Sequence, residues 1–453
     1  MECYPFQSHY TILVVMLKKI CLSIFLSLTC VSSFAATPDA GHPLMIAELL
    51  NIALENHPAT RQAWWNAQRA AALLGSAKSS YYPNMAVDAG IRNGRDFKFL
   101  NGPDTEYTIV GVDLALSMLL FDFGVRSADV EAAKMSLQAA NWQGDWNIQK
   151  VMVQVLENAY ATMHAQEVLQ AAVISFNEAD RILGMSRELN RTGLVPVSDV
   201  YTSQANLSQM KMELTLQRAL YDIQKGKLAA SLGLSADVAL ELAVLEQIPP
   251  PQCLQVEKLI ALAFTQRADL MAKQARLVES FSRLGSARAS YGPKVSLLGR
   301  GGFNHALHDK ANAAQYQIAL NVEIPVFNGF DTIYQNRLAY ADTRLSMEDF
   351  AELQLQIALE VMTYSRTLQA AQEMISEADE YLKNSSKAYE SVLAKYKAGK
   401  ERIYEVSSAQ KQLAAARVRY SDVKTRWLVS LANLAYATGT LAPSMETPCK
   451  ANP

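Results

Sequence analysis

His305 and His308 stand three residues apart with Asp309 beside them, a spacing at which imidazoles and a carboxylate can share a metal ion. No cysteine lies near, and the segment reads as an exposed loop, so solvated side chains explain it and no metal site is expected. His164 falls among apolar residues of a helical stretch and reads as packed or exposed there. Asp88, Arg92, Asp113, Arg300 and Glu323 are acids and bases of the kind that move protons. Each lies on the polar side of a strand-like run, and a wetted interior accounts for them without catalysis. No phosphate-cradling glycine loop, nucleophile elbow or HExxH motif occurs. The chain therefore reads as no enzyme, with no cofactor. Cys253 and Cys449 lie outside the repeated bodies described next. In an oxidising compartment they can pair or stay as two unpaired thiols, and the sequence leaves both open.

The elements that position these residues come in two copies. Leu74 to Pro83 reads LGSAKSSYYP and Leu284 to Pro293 reads LGSARASYGP, an offset of 210 residues. NRTGLVPVSDV at Asn190 to Val200 aligns with YKAGKERIYEV at Tyr396 to Val406, and Gly233 with Gly439, both at an offset of 206. The body is a tandem duplication, repeat one over 44–240 and repeat two over 254–440, with a linker at 241–253 and a tail at 441–453. Length differences are confined to the stretch between Pro83 and Phe121 and its copy between Pro293 and Phe327.

Each repeat reads as helix, β-hairpin, very long helix and returning helix. Repeat one opens with a helix from about Met45 to Ser80, ended by Pro83. Met85, Val87, Ala89 and Ile91 then alternate with Asp88 and Arg92 on the other face. Val110, Val112, Leu114 and Leu116 alternate with Gly111, Asp113, Ala115 and Ser117. In repeat two, Tyr316, Ile318, Leu320, Val322, Ile324 and Val326 alternate with Gln317, Ala319, Asn321 and Glu323. Hairpins of about 84–120 and 294–327, apolar on one side and charged on the other, suit a membrane barrel facing lipid outside and water inside. A soluble sandwich would alternate in the same way.

The helices separate the two. From Arg126 to Asn190 there is no proline, and the pattern stays helical; at about 1.5 Å per residue such a rod is roughly 100 Å long, more than a compact domain uses. The long helices are expected over 126–190 and 331–396, the returning ones over 197–232 and 402–438. Leu207, Leu214, Tyr221 and Leu228 recur every seven residues, and Leu413, Tyr420, Trp427 and Leu434 copy them, which is supercoiled packing. The helices before the hairpin and after the turn, end to end, match one long rod. The chain thus describes a helical tube of rods and half-rods.

The N-terminal residues stand apart. From Met16, MLKKICLSIFLSLTCVSSFA has a basic start, an apolar run and small residues at Ser33 and Ala35, the pattern of a secretory signal cleaved after Ala35. A signal peptide is expected over 1–35, its start at Met16. The formal charge of −2 at pH 7 gives no sign of a nucleic-acid partner. No membrane-spanning helix is expected beyond the signal. Four strands per chain are too few to close a membrane barrel, which takes at least about eight, so closure must come from oligomerisation.

The duplicated plan, LLFDFG at Leu119 to Gly124 with its copy VFNGF at Val326 to Phe330, and GLVPVSDV at Gly193 to Val200 resemble the TolC-like outer membrane efflux protein family, over nearly the whole mature chain. The resemblance implies a mostly α fold with a membrane β-barrel. Three chains would form a twelve-stranded barrel in the outer membrane of a Gram-negative bacterium, continuous with a twelve-helix α-barrel in the periplasm. It implies an exit duct for efflux or type I secretion, opened when a periplasmic adaptor and an inner-membrane pump of RND, ABC or MFS type dock, with outer membrane lipid around the barrel. A competing reading is a periplasmic coiled-coil adaptor or scaffold without a pore, although an adaptor offers one helical hairpin and this chain offers two.

Roles carry over by position. Gly193 and Gly399 match the tip turns where long helices reverse, and positive φ is cheap there only for glycine. Asp199 matches an acidic position just inside the periplasmic entrance, with Glu405 its equivalent in repeat two; three copies of each would ring a narrow mouth and attract cations. The alternative is that each acid only favours a helix N-terminus. Ser408 stands where some members carry a further acid. Tyr396 matches a tyrosine whose bonding holds the entrance shut. Asp88, Arg92, Asp113, Arg300 and Glu323 are expected to face the barrel lumen.

Overall fold

A computed structural model describes residues 44–96, 105–238, 240–243, 255–306 and 311–441. The expected signal, His308, and both Cys253 and Cys449 lie outside them. The elements are, in chain order, α1 (Ile46–Asn56), α2 (Pro58–Ser79), β1 (Asn84–Asp96), β2 (Thr105–Phe121), α3 (Val125–Arg191), α4 (Val197–Ser231), α5 (Val256–Gln266), α6 (Ala268–Ala289), β3 (Lys294–Ala306), β4 (Ala311–Glu323), α7 (Asp331–Lys397) and α8 (Ile403–Ala437).

The duplication is kept to the residue. The ends of α1, α2 and β1 recur 210 residues later as those of α5, α6 and β3, and the ends of α3 and α4 recur 206 residues later as those of α7 and α8. The difference of four falls between β1 and β2, where the segment joining the strands is longer in repeat one than its counterpart between β3 and β4.

The rods α3 and α7 are 67 residues each, about 100 Å at 1.5 Å per residue. Nearer the sheet the helices lie side by side in the order α2, α3, α6, α7. Toward the other end the order is α4, α3, α8, α7, so each rod serves two half-rods in succession. Two matching cores sit where the half-rods meet. In one, Ala53 of α1 and Leu228 of α4 close on Val151 and Val155 of α3; in the other, Ala263 and Leu434 close on Ile357 and Val361 of α7. A third core at the far end gathers Ile182, Val195, Tyr389, Tyr396 and Val406.

Two expectations need correction. The helix from Met45 to Ser80 is two helices, because His57 is extended and Pro58, which lacks an amide hydrogen, starts a new first turn. The His57 imidazole caps that turn, accepting from the amide of Ala59. The strand of repeat two stops at Glu323, so Ile324 and Val326 lie beyond it. Pro325 follows and has no N–H for a ladder bond.

The four strands form one antiparallel sheet in the order β1-β2-β3-β4. Among the described residues no helix is long and apolar enough to cross a membrane.

Candidate functional site

Two regions carry the sequence-marked residues, the sheet and the helical tips at opposite ends of the rods. In the sheet, the register pairs Asp88 with Asp113, Asp113 with Gly302, Arg300 with Gln317 and Lys294 with Glu323. Side chains alternate along a strand, so Asp88, Arg92, Asp113, Arg300 and Glu323 all fall on one face. Asp113 is buried and accepts from Arg92 Nη2 at 3.2 Å and from Gln315 Nε2 at 3.3 Å. Arg300 lies 3.9 Å from Asp88. Glycines make the room: a Cβ on Gly302 would come within 2.1 Å of Asp113 Oδ1, and one on Gly111 within 1.9 Å of Asn304 Oδ1. His305, expected in a loop, lies in β3 and bonds across to Asn312 through Nδ1 at 2.7 Å.

The opposite face is apolar and bare. Val87, Ile91, Val112, Phe303, Ile318 and Leu320 are all exposed on it. Such a face is costly in water and suited to hydrocarbon. Aromatic side chains gather at its helical end, with Phe121 stacked edge-on to Phe123 and Phe327 edge-on to Phe330, as in the interfacial girdles of membrane barrels.

The joint between sheet and rod contains two features the sequence reading missed. Phe123 and Gly124 are both left-handed, as are Gly329 and Phe330, so a phenylalanine takes a positive φ in each repeat. Phe123 packs onto Gly292, where a Cβ would lie 2.5 Å from the ring. Arg126 is buried and knots the joint: it pairs with Asp122 at 3.0 Å, donates to the carbonyls of Ser80, Leu119 and Leu120, and covers the Tyr81 ring. In repeat two the same positions hold Asn328 and Thr332, joined by a neutral hydrogen bond. A charge swapped for a hydroxyl hides such a joint from any comparison of the copies.

At the tips, Gly193 and Gly399 take φ of +74° and +68° as the rods end. Leu194 N bonds back to Leu189 O and Lys400 N to Lys395 O, both at 2.9 Å, which closes each rod in a Schellman-type turn. Asp199 and Glu405 lie in the first turns of α4 and α8. Glu405 is exposed and Asp199 half-buried. Burial holds the Asp199 carboxyl above its ordinary range.

Tyr396 is fully buried, and its hydroxyl lies 2.9 Å from Ser186 Oγ. Ser186 Oγ is 2.8 Å from Ser203 Oγ, which donates to the Asp199 carbonyl at 2.9 Å. The phenol pKa is raised, chiefly by burial; the Ser186 bond opposes this and the Asp199 charge adds to it. Two serines that carry no mark in the sequence thus link Tyr396 to the backbone carbonyl of Asp199.

Residues 49–234 and 259–440 match the family model described as outer membrane efflux protein. The chain belongs to the outer membrane efflux protein family. Among its relatives, protein CyaE of Bordetella pertussis is 27% identical over 403 residues, 86% of this chain and 83% of that protein. The outer membrane protein TolC of Vibrio cholerae is 22% identical over 413 residues, 88% of this chain and 91% of that protein. The CmeC outer membrane channel of Campylobacter jejuni superposes with a TM-score of 0.78 at 17% identity, covering 87% of this chain and 85% of that one. As an efflux protein of this family the chain is an outer membrane protein whose helices reach into the periplasm.

Proposed function

We propose that three copies of this chain form a passive duct, in efflux or type I secretion, that is closed at the glycine tips and opened by a docked periplasmic adaptor and inner-membrane pump. The observation that carries this reading is the continuity of one charged sheet face, apolar on its back, with rods about 100 Å long that end in glycine turns. Among the described residues nothing pairs with the outer edges of β1 and β4, which leaves two rows of ladder groups unmatched. In lipid each such group is costly, and closure by further copies removes both rows.

The charged residues fit transport without catalysis. Among the residues whose side chains are described, the acids Asp88, Asp113 and Glu323 and the bases Arg92, Arg300 and Lys294 share the inner face. These charges of both signs would wet the barrel lumen. Selectivity falls to the tips, where Asp199 and Glu405 stand in the first turns of α4 and α8 and where three copies of each would ring a narrow mouth. Opening is a shift between two packings of the coiled coils, biased by whichever partner binds the open one better.

The test is the mass of the protein extracted from outer membranes in mild detergent, measured by light scattering. A trimer is expected. A monomer recovered from the soluble periplasmic fraction would favour a scaffold and end this reading.

A further inference from the structure

Asp113 belongs to the open, charged face of the sheet and yet is 1% exposed. Side chains lying along the wall hide it. Arg92 reaches it from β1 and Gln315 from β4, although β3 stands between Gln315 and Asp113. The β3 residue opposite both of them is Gly302. The two side chains therefore meet over a residue that has none, and a Cβ there would fall 2.1 Å from Asp113 Oδ1.

One layer farther from the rods the arrangement recurs with the strands exchanged. Here the glycine is Gly111 of β2, and Asn304 of β3 stands opposite it. A Cβ on Gly111 would lie 1.9 Å from Asn304 Oδ1. From each strand of the β2 and β3 pair, a polar side chain thus lies down into the gap that a glycine leaves on the other. Neighbouring glycines differ. Gly90, beside Gly111 in the same layer, has open space where a Cβ would be, and on the opposite face Gly299 and Gly301 would meet nothing closer than 3.6 Å.

Directly opposed residues of antiparallel strands share a face and stand close enough for one side chain to cover the other position. Once the gap is filled, Asn304 can no longer lie across β2 and has to stand off the sheet, the direction side chains of a strand otherwise take. In a closed barrel that direction is the lumen. The cross-section left for cargo then shrinks by the reach of one side chain at every copy.

We propose that Gly111 and Gly302 set the size of cargo the barrel passes, by letting Asn304, Asp113 and Gln315 lie flat against its wall. The proposal rests on the trimeric duct reading, which makes this face the lumen wall, and adds the residues that fix its width. At Gly302 a Cβ would also come within 2.4 Å of the Val112 carbonyl oxygen, so alanine there would move backbone as well as side chains. At Gly111 the two closest atoms both belong to the end of the Asn304 side chain, which makes it the position to test.

The experiment places a cysteine at Ser117 of the full chain, with Cys253 and Cys449 replaced by serine. Ser117 is exposed on the same face and lies roughly 20 Å nearer the rods than Gly111. Intact cells are treated from outside with maleimide polyethylene glycols of graded mass and, separately, with iodoacetamide, which is small. A polymer entering from the outer side has to pass the Gly111 layer to reach the Ser117→Cys thiol. Gly111→Ala should lower the largest mass that reacts and slow the polymers just below it several-fold, with the iodoacetamide rate unchanged. Gly90→Ala should leave both as in the parent. Adding Asn304→Gly to Gly111→Ala should restore the parent cut-off, because the lifted side chain is gone. A cut-off unmoved by Gly111→Ala, moved as far by Gly90→Ala, or not restored by Asn304→Gly overturns the inference and leaves the duct standing. A thiol that no reagent reaches, in a protein that is monomeric by mass, overturns both.

Discussion

The hydroxyl of Tyr396, at the end of α7, sits 2.9 Å from Oγ of Ser186 on α3, fully buried at the tip. This bond ties the second long helix to the first, and Ser203 extends it to α4. A buried neutral hydrogen bond is worth about 1 kcal/mol. Tyr396→Phe removes one such bond from the closed packing only, and at 1.4 kcal/mol per tenfold the open fraction should rise about fivefold. Ser186→Ala should act in the same direction. Single-channel open probability measures both; an unchanged value in each variant would remove the relay from the gate.

Asp199 should give the proposed entrance a pH dependence. Burial raises its pKa in the packed tip, so as pH falls the folded chain takes up this proton before the unfolded chain does. Folded stability therefore gains from Asp199 as pH drops through the raised value, the gain being complete below the unfolded pKa and lost as pH rises through the folded one. In the proposed trimer the same protonation would remove three negative charges from the mouth. Cation preference, read from reversal potentials, should start to fall at a pH above the ordinary carboxylate range. Asp199→Asn should abolish that limb, and Asp199→Asn with Glu405→Gln should weaken preference at every pH. Unchanged selectivity in the double variant would assign both acids to helix N-terminus stabilisation.

Arg267 is the most confined cation among the described residues. Its side chain, 1% exposed, bridges Asp269 at 2.7 Å, Glu360 at 2.5 Å and the Ala437 carbonyl at 3.2 Å, and it covers Trp146, which stacks on Tyr436. Burial pushes the Tyr436 phenol far up. Arg267→Met strips the cation from the buried Asp269, which keeps the Leu270 amide, and from the part-exposed Glu360, and should cost about 3 kcal/mol. A depressed melting temperature with unit conductance unchanged is the expected result.

Four glycines of positive φ separate strain from contact. Gly193 and Gly399 have open space where a Cβ would lie, so alanine there should cost only the left-handed conformation, about 1 kcal/mol. A Cβ on Gly233 would lie 2.7 Å from the Asn56 carbonyl oxygen, and one on Gly439 2.9 Å from the Gln266 carbonyl. Gly233→Ala and Gly439→Ala must displace backbone at the joints between half-rods. Thermal unfolding should rank these two well below the tip pair.

Much of this architecture was readable because duplication writes each element twice. The ends of α3 and α7 follow from one offset, and the strand face bearing Asp88, Asp113 and Arg300 follows from period-two alternation. What stayed hidden depends on residues that differ between copies or carry no local signal. Arg267 aligns with His57, which caps a helix and bridges nothing comparable. Arg126 aligns with Thr332, so its knot leaves no echo in repeat two. Ser186 and Ser203 look like ordinary helix-surface serines until α7 brings Tyr396 against them. The end of β4 at Glu323 was missed because the apolar alternation runs through Pro325, where hydrogen bonding stops.

Whether this chain makes a conducting duct is read most directly as current through the purified protein in a planar bilayer. Discrete steps of cation-preferring conductance are expected, with open probability raised by Tyr396→Phe. A trimer of the expected mass that inserts and never conducts, in wild type and variant alike, would contradict the duct.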